Sequence, residues 1–202
     1  MRYAKFQFSD VERVDLLKAW IATSITFAVY FTASSLSKAD FGAFLFAIIF
    51  SALTAGIGFL GHELCHKWAA SRFGIHSEFR SHDRWLVISI IIAFFGVIFA
   101  APGAVYMFTN VSKRENGIIS AAGPAANMVF ALLFLPLAVF SPAESLLWML
   151  GTYGLWINAL LGLFNLIPFL DFDGAKIWAW HRGVWSGLVI IGAALIITAT
   201  VI

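Results

Sequence analysis

His62, Glu63 and His66 stand in the spacing HExxH. On a helix, residues four apart lie on one face, one turn apart, so both imidazoles can bind one Zn²⁺. The glutamate between them is then placed to take a proton from a water on the metal. Catalytic zinc takes three protein ligands and keeps an open position for water. The chain has five histidines and one cysteine, so the candidates for a third ligand are His76, His82, His181, Cys65 and the acids. Among these, Asn165-Leu166-Ile167-Pro168-Phe169-Leu170-Asp171-Phe172-Asp173-Gly174 stands out. Pro168 ends an apolar run, and two acids, Asp171 and Asp173, follow it among aromatics. An acid at the mouth of a broken membrane helix is costly unless it is paired or metal-bound.

The elements that must position these residues are apolar. Phe41 to Gly61 carries no charge, which at 1.5 Å per residue is about 30 Å of helix, enough to cross a bilayer. The 202 residues are 61% hydrophobic and 12% charged, with a mean hydropathy of +0.88. Those fractions lie outside the range of soluble domains and imply a polytopic membrane protein whose solvent is the lipid bilayer. A net charge of +2 without a basic run excludes nucleic acid as a partner. The single Cys65 excludes an intrachain disulfide framework. Met1 to Lys18 mixes acids and bases and lacks the apolar core of a cleavable signal peptide. Ser9-Asp10-Val11-Glu12 reads as a capping box. Residues 1–18 are therefore expected to form an interfacial segment, leading into one transmembrane domain over 19–202.

Uncharged stretches run Ala19–Ser37, Phe41–Gly61, Leu86–Val111, Gly117–Ala143, Ser145–Leu170 and Gly183–Ile202. If all six cross, the Lys and Arg residues divide eight to five between the two faces. If the third stretch enters and returns, twelve lie inside and only Lys38 lies outside. Excess Lys and Arg mark the cytoplasmic face, so the re-entrant topology is favoured. Trp20, Trp68, Trp85, Trp178, Trp180 and Trp185 then cluster at the inner interface. Leu86–Ala100 is helix-like, Ala101-Pro102-Gly103 breaks it, and Ala104-Val105-Tyr106-Met107 is β-prone. Non-helical backbone at membrane depth survives only inside protein or along a polar cavity, so this break predicts a site wall. The expected fold is an all-α polytopic membrane protein with five to six transmembrane helices, a re-entrant segment and a short membrane-associated β-hairpin. This topology also puts Asp171–Arg182 on the same face as His62 and His66.

In these motifs the chain resembles the site-2 protease family of intramembrane zinc metalloproteases. That family pairs HExxH on one membrane helix with NxxPxxxxDG on a later one, here His62–His66 with Asn165, Pro168, Asp173 and Gly174. Gly123-Pro124-Ala125-Ala126-Asn127 resembles the family's GPxxN segment, and Ala101–Met107, more loosely, its membrane-embedded β-hairpin. The resemblance spans about Phe41 to Lys176. It implies Asp173, rather than Asp171, as third ligand to one Zn²⁺ per chain, and Glu63 as the catalytic residue. It further implies a core enzyme without the PDZ or CBS domains of many relatives.

The implied activity is hydrolysis of peptide bonds within or near transmembrane helices of membrane-protein substrates. Asn127 and Asn165, polar within apolar segments, are candidates for binding the substrate backbone or the oxyanion. The alternative for both is interhelical hydrogen bonding. Gly103, Ala104, Val105 and Tyr106 are the expected edge on which an unwound substrate pairs. His76, His82 and His181 are expected to titrate in solvent. Gly56, Gly58 and Gly61 are expected to be helix-packing positions, and Cys65 a small buried residue. A metal transporter would spread acids and histidines through the spans, whereas here they concentrate at one end. A catalytically silent scaffold has no need of the intact set. A di-iron hydroxylase needs more histidines than five. The expected location is a prokaryotic plasma membrane, with the N-terminus and the site opening on the cytoplasmic side.

Overall fold

The computed structural model describes residues 5–33, 40–98 and 102–202. The end of the uncharged stretch Ala19–Ser37, Lys38, and Ala101 at the start of the expected break lie outside the described residues. Helix α1 spans Asp10–Thr32, with the Ser9 side chain accepting from the Glu12 N–H at 3.2 Å. It is one helix, without a boundary at residue 18 between an interfacial segment and a span. Only the Ser9 half of the expected capping box forms, because the Glu12 carboxylate turns instead to Lys67. Asp40 caps α2 (Phe41–Ser51), which continues through a π-helical turn at Ala52–Gly56 into α3 (Ile57–Arg72). Trp20 of α1 donates to the Ala52 carbonyl at this turn, at 3.3 Å. A Cβ on Gly56 would meet that indole at 2.6 Å, so the glycine lets the two helices approach, as expected of a packing position.

Strand β1 (Ser77–Ser81) follows, then α4 (Asp83–Ala93) and strand β2 (Gly103–Met107). The expected helix over Leu86–Ala100 is shorter than its apolar run. It ends at Ala93, and Gly96, at φ +74°, supplies the left-handed residue that closes helix ends. Eleven residues make about 16 Å of helix, too short to cross a bilayer. The β-prone piece does form a strand, but its partner is not its immediate neighbour. β2 pairs antiparallel with β1, in the register Ser77↔Met107, Phe79↔Val105 and Ser81↔Gly103, and α4 lies between the two strands in sequence.

Helix α5 (Lys113–Phe140) begins with a complete capping box between Ser112 and Glu115. Ser145 caps α6 (Leu146–Asn165), and α7 (Asp173–Trp180) and α8 (Arg182–Val201) complete the described chain. Five helices are long and apolar enough to cross a membrane: α1, the continuous Phe41–Arg72 helix, α5, α6 and α8. The protein is thus a multi-pass membrane protein with a small two-stranded sheet. One buried cluster joins α5, α6, α7 and α8 around Leu155, Leu166 and Ile177. A second joins α1, α3, β1 and α4 around Phe59 and Phe79. Helix α3 carries HExxH on the seam between these halves.

Candidate metal centre

His62 and His66 are buried on α3 and face α5. His62 Nδ1 lies 2.6 Å from Asn127 Oδ1, and His66 Nδ1 lies 2.7 Å from the Ile119 carbonyl. Asn127 donates its amide hydrogens to the Gly58 carbonyl at 3.1 Å and to Asn158 Oδ1 at 3.3 Å, so its own oxygen must accept. Each histidine therefore carries its proton on Nδ1 and turns a bare Nε2 lone pair inward. The two Nε2 atoms stand 2.9 Å apart. Asp173 Oδ2 closes the triangle, 3.2 Å from His62 Nε2 and 3.1 Å from His66 Nε2. Two lone pairs and a carboxylate at one point call for a cation.

The size fits zinc. Bonds of about 2.0–2.1 Å in tetrahedral geometry set neighbouring ligand atoms roughly 3.3 Å apart, close to the three separations here. Space is kept for an ion by Gly123, because a Cβ there would strike His66 Nε2 and come within 2.6 Å of His62 Nε2. Among the described residues, His62, His66 and Asp173 form the one cluster of three such side chains able to hold a metal.

Asp173 reaches the histidines because α6 ends at Asn165 and the chain turns through Pro168 and Leu170, the latter at φ +55°. Asp173 is then the first residue of α7. Gly174 is needed for the approach, since a Cβ on it would strike the Leu166 carbonyl. The same carbonyl accepts from Trp185 Nε1 at 2.7 Å, which ties α8 to the turn. Asp171 is exposed, lines the same cavity and stands outside the ligand cluster. Lys176 Nζ lies 3.8 Å from Asp173 Oδ1, the oxygen turned away from the histidines.

A cavity of about 490 Å³ opens at this cluster. Glu63 lines it beside the two histidines, buried, with no hydrogen bond to its carboxylate among the described residues. Asn165 also lines it, donating to its own helix at the Leu161 carbonyl at 2.9 Å. Asn127 lines it too but is fully buried, with both amide hydrogens and its oxygen already engaged. Its oxygen holds His62 Nδ1 and its amide bridges α5 to α3 and α6, the interhelical hydrogen bonding that was the alternative to binding substrate. Of the expected pairing edge, Gly103, Ala104 and Val105 line the cavity, and so does Met107. Tyr106 turns to His82, which accepts or donates at 2.7 Å.

Sequence reasoning missed Asn158 and Asn116. Asn158 is fully buried between Asn127 and the Gly154 carbonyl; its signal was a polar residue within the apolar run Ser145–Leu170. Asn116 lines the cavity with a buried Oδ1 that has no partner among the described residues. Of the three loop histidines, His82 also borders the cavity. His76 stacks on Phe108, and His181 accepts from the Val184 N–H at the start of α8. Cys65 is partly exposed rather than buried.

No protein-family model matches the chain. No solved structure matches it. Curated relatives do. The chain is 37% identical over 194 residues to "Putative zinc metalloprotease MJ0611" of Methanocaldococcus jannaschii, covering 94% of this chain and 96% of that protein. It is 33% identical over 128 residues to "Putative zinc metalloprotease Rip2" of Mycolicibacterium smegmatis, covering 56% and 49%. It is 32% identical over 145 residues to "Putative zinc metalloprotease Rip3" of Mycobacterium tuberculosis, covering 67% and 32%. The match to the first runs nearly end to end, whereas the chain spans half or less of the other two. With HExxH and NxxPxxxxDG meeting at one cluster on membrane helices, the chain belongs to the site-2 protease family of zinc metalloproteases.

Proposed function

We propose that this chain is a zinc-dependent endopeptidase that cuts membrane proteins within or near their transmembrane helices. His62, His66 and Asp173 are its zinc ligands and Glu63 its general base. One observation carries the reading: both histidines spend Nδ1 on fixed acceptors, so both Nε2 lone pairs meet Asp173 beside Glu63 in a single cavity. These three residues would hold the zinc, which would supply Lewis acidity at the scissile carbonyl and the attacking water. Glu63, beside the ligands, would be the base that takes a proton from the attacking water and the acid that gives one to the leaving amine. Asn165, and Asn116 whose Oδ1 has no partner among the described residues, line the cavity wall and are candidates to hold a substrate backbone.

A transmembrane helix buries its carbonyls in its own hydrogen bonds and must unwind before it can be cut. The small sheet supports a way to hold the unwound stretch. The bonds Phe108 N–H to His76 O and His82 N–H to Pro102 O fix which pairs of the ladder are hydrogen-bonded. Alternation then commits the backbone of Ala104 and Tyr106 to β1 and turns that of Gly103, Val105 and Met107 to the open edge. On this alternation, the pairing edge we propose uses the backbone of Gly103, Val105 and Met107, whereas the expected edge was Gly103, Ala104, Val105 and Tyr106. An extended substrate added there would lie along the cavity. The count of Lys and Arg supports a cytoplasmic N-terminus and site opening in a prokaryotic plasma membrane.

The test is cleavage of a transmembrane-helix substrate by the purified chain. Glu63→Gln is expected to lower the rate by about 10²–10⁴-fold with zinc retained, the usual range for losing a general acid–base group. Near wild-type cleavage by that variant would overturn the assignment of Glu63.

A further inference from the structure

The residue after the second histidine, Lys67, has a side chain only 4% exposed, and that of its partner Glu12 is 0% exposed. Lys67 Nζ donates to Glu12 Oε1 at 2.8 Å, to Glu12 Oε2 at 2.7 Å and to the Ser77 carbonyl at 2.8 Å. All three ammonium hydrogens are therefore used. Glu12 Oε1 also accepts the Phe79 N–H at 2.9 Å, and the Phe8 ring lies 4.9 Å from Nζ. A buried ion pair contributes little net stability against an apolar substitute, so stability alone does not account for this one.

Its position does. Ser77 and Phe79 are the β1 residues whose backbone groups point away from β2, by the same alternation that opens Gly103, Val105 and Met107 on the other side. Lys67 and Glu12 occupy those outward groups. An unpaired strand edge is a template for any extended chain; here one edge is filled by this protein's own side chains and the other borders the cavity. Because Lys67 adjoins His66, a single side chain joins β1 to the helix that carries both histidines. The structure assigns the Glu12–Lys67 pair a positioning role: it seals β1 and holds the open edge of β2 in fixed register with His62 and His66, so that a strand added there is cut at one peptide bond. This rests on the protease reading above.

The experiment uses the full chain in lipid nanodiscs and a transmembrane-helix substrate, with products identified by mass spectrometry. Glu12→Leu/Lys67→Met removes both caps and leaves no lone charge. It is expected to keep zinc, to cut at two or more neighbouring bonds instead of one, and to lose about tenfold in kcat/KM, on the scale of supporting-residue losses at metal sites. Phe79 amide exchange should also accelerate. Lys67→Arg, with Glu12 in place, keeps the charge and donors and should retain the single cut. Glu12→Asp, one methylene too short to reach both Lys67 and the Phe79 N–H, is read the same way if the double variant does not fold. Cleavage at the single wild-type bond with unchanged KM, or unchanged Phe79 exchange, would overturn the positioning role. If wild type and Glu63→Gln cut no faster than background, the protease reading fails instead, and Phe79 exchange still decides whether the edge is sealed.

Discussion

Gly123 is a test of the metal centre at the scale of one methyl group. Its missing side chain is the space between two imidazole Nε2 atoms. Gly123→Ala is expected to leave α5 intact, because alanine is the better helix former, while abolishing zinc binding; a folded variant with full zinc would contradict the geometry. Asn127→Ala removes the acceptor that fixes the His62 tautomer and should weaken zinc affinity by about 10–100-fold, measured by chelator competition. HExxH was legible because its spacing puts two imidazoles on one helix face, whereas Asp173 was singled out from Asp171 only by the resemblance in NxxPxxxxDG. Asn158 was not, since an asparagine in an apolar run has the same appearance whether it packs, binds or supports. Asn127 stayed open between two roles for the same reason: its hydrogen bonds across α3 and α6 exist only in the fold.

Among the elements, the two strands behave least like the sequence suggests. Ser77–Ser81 carries Glu78 and Arg80 and lacks the apolar alternation of a strand, so nothing local announced β1 as the partner of β2. Likewise, Leu86–Ala100 has no charged residue to mark where helix gives way, and the stop falls at Gly96 through its positive φ. The strand register makes a sharp prediction. Val105 faces Phe79 in a pair without ladder hydrogen bonds, so Val105→Pro removes only a donor on the open edge. It should slow cleavage of helical substrates while zinc and fold persist. Ala104→Pro removes a ladder bond to β1 and should disturb the sheet itself, seen as faster amide exchange at Arg80. Equal cleavage by wild type and Val105→Pro would remove β2 from substrate binding.

For the whole molecule, the distribution of Lys and Arg carried the topology. A count of twelve bases to one favours a third apolar stretch that returns, and the described helix α4 is by itself too short to cross. The consequence is chemical, because only that path puts α3 and α7 on one face, where Asp173 lies within 3.2 Å of both histidines. In a Cys65→Ser background, single cysteines at Ser112 and Arg182 should label from the cytoplasmic face of sealed cells, and one at Ser141 from the other. Labelling of Ser112 and Ser141 from the same face would contradict the arrangement. The most direct measurement is the zinc content of the purified chain beside Asp171→Ala and Asp173→Ala. One zinc per chain, kept in Asp171→Ala and lost in Asp173→Ala, is the expected result. Zinc retained in Asp173→Ala, or lost in Asp171→Ala alone, would contradict the His62–His66–Asp173 centre.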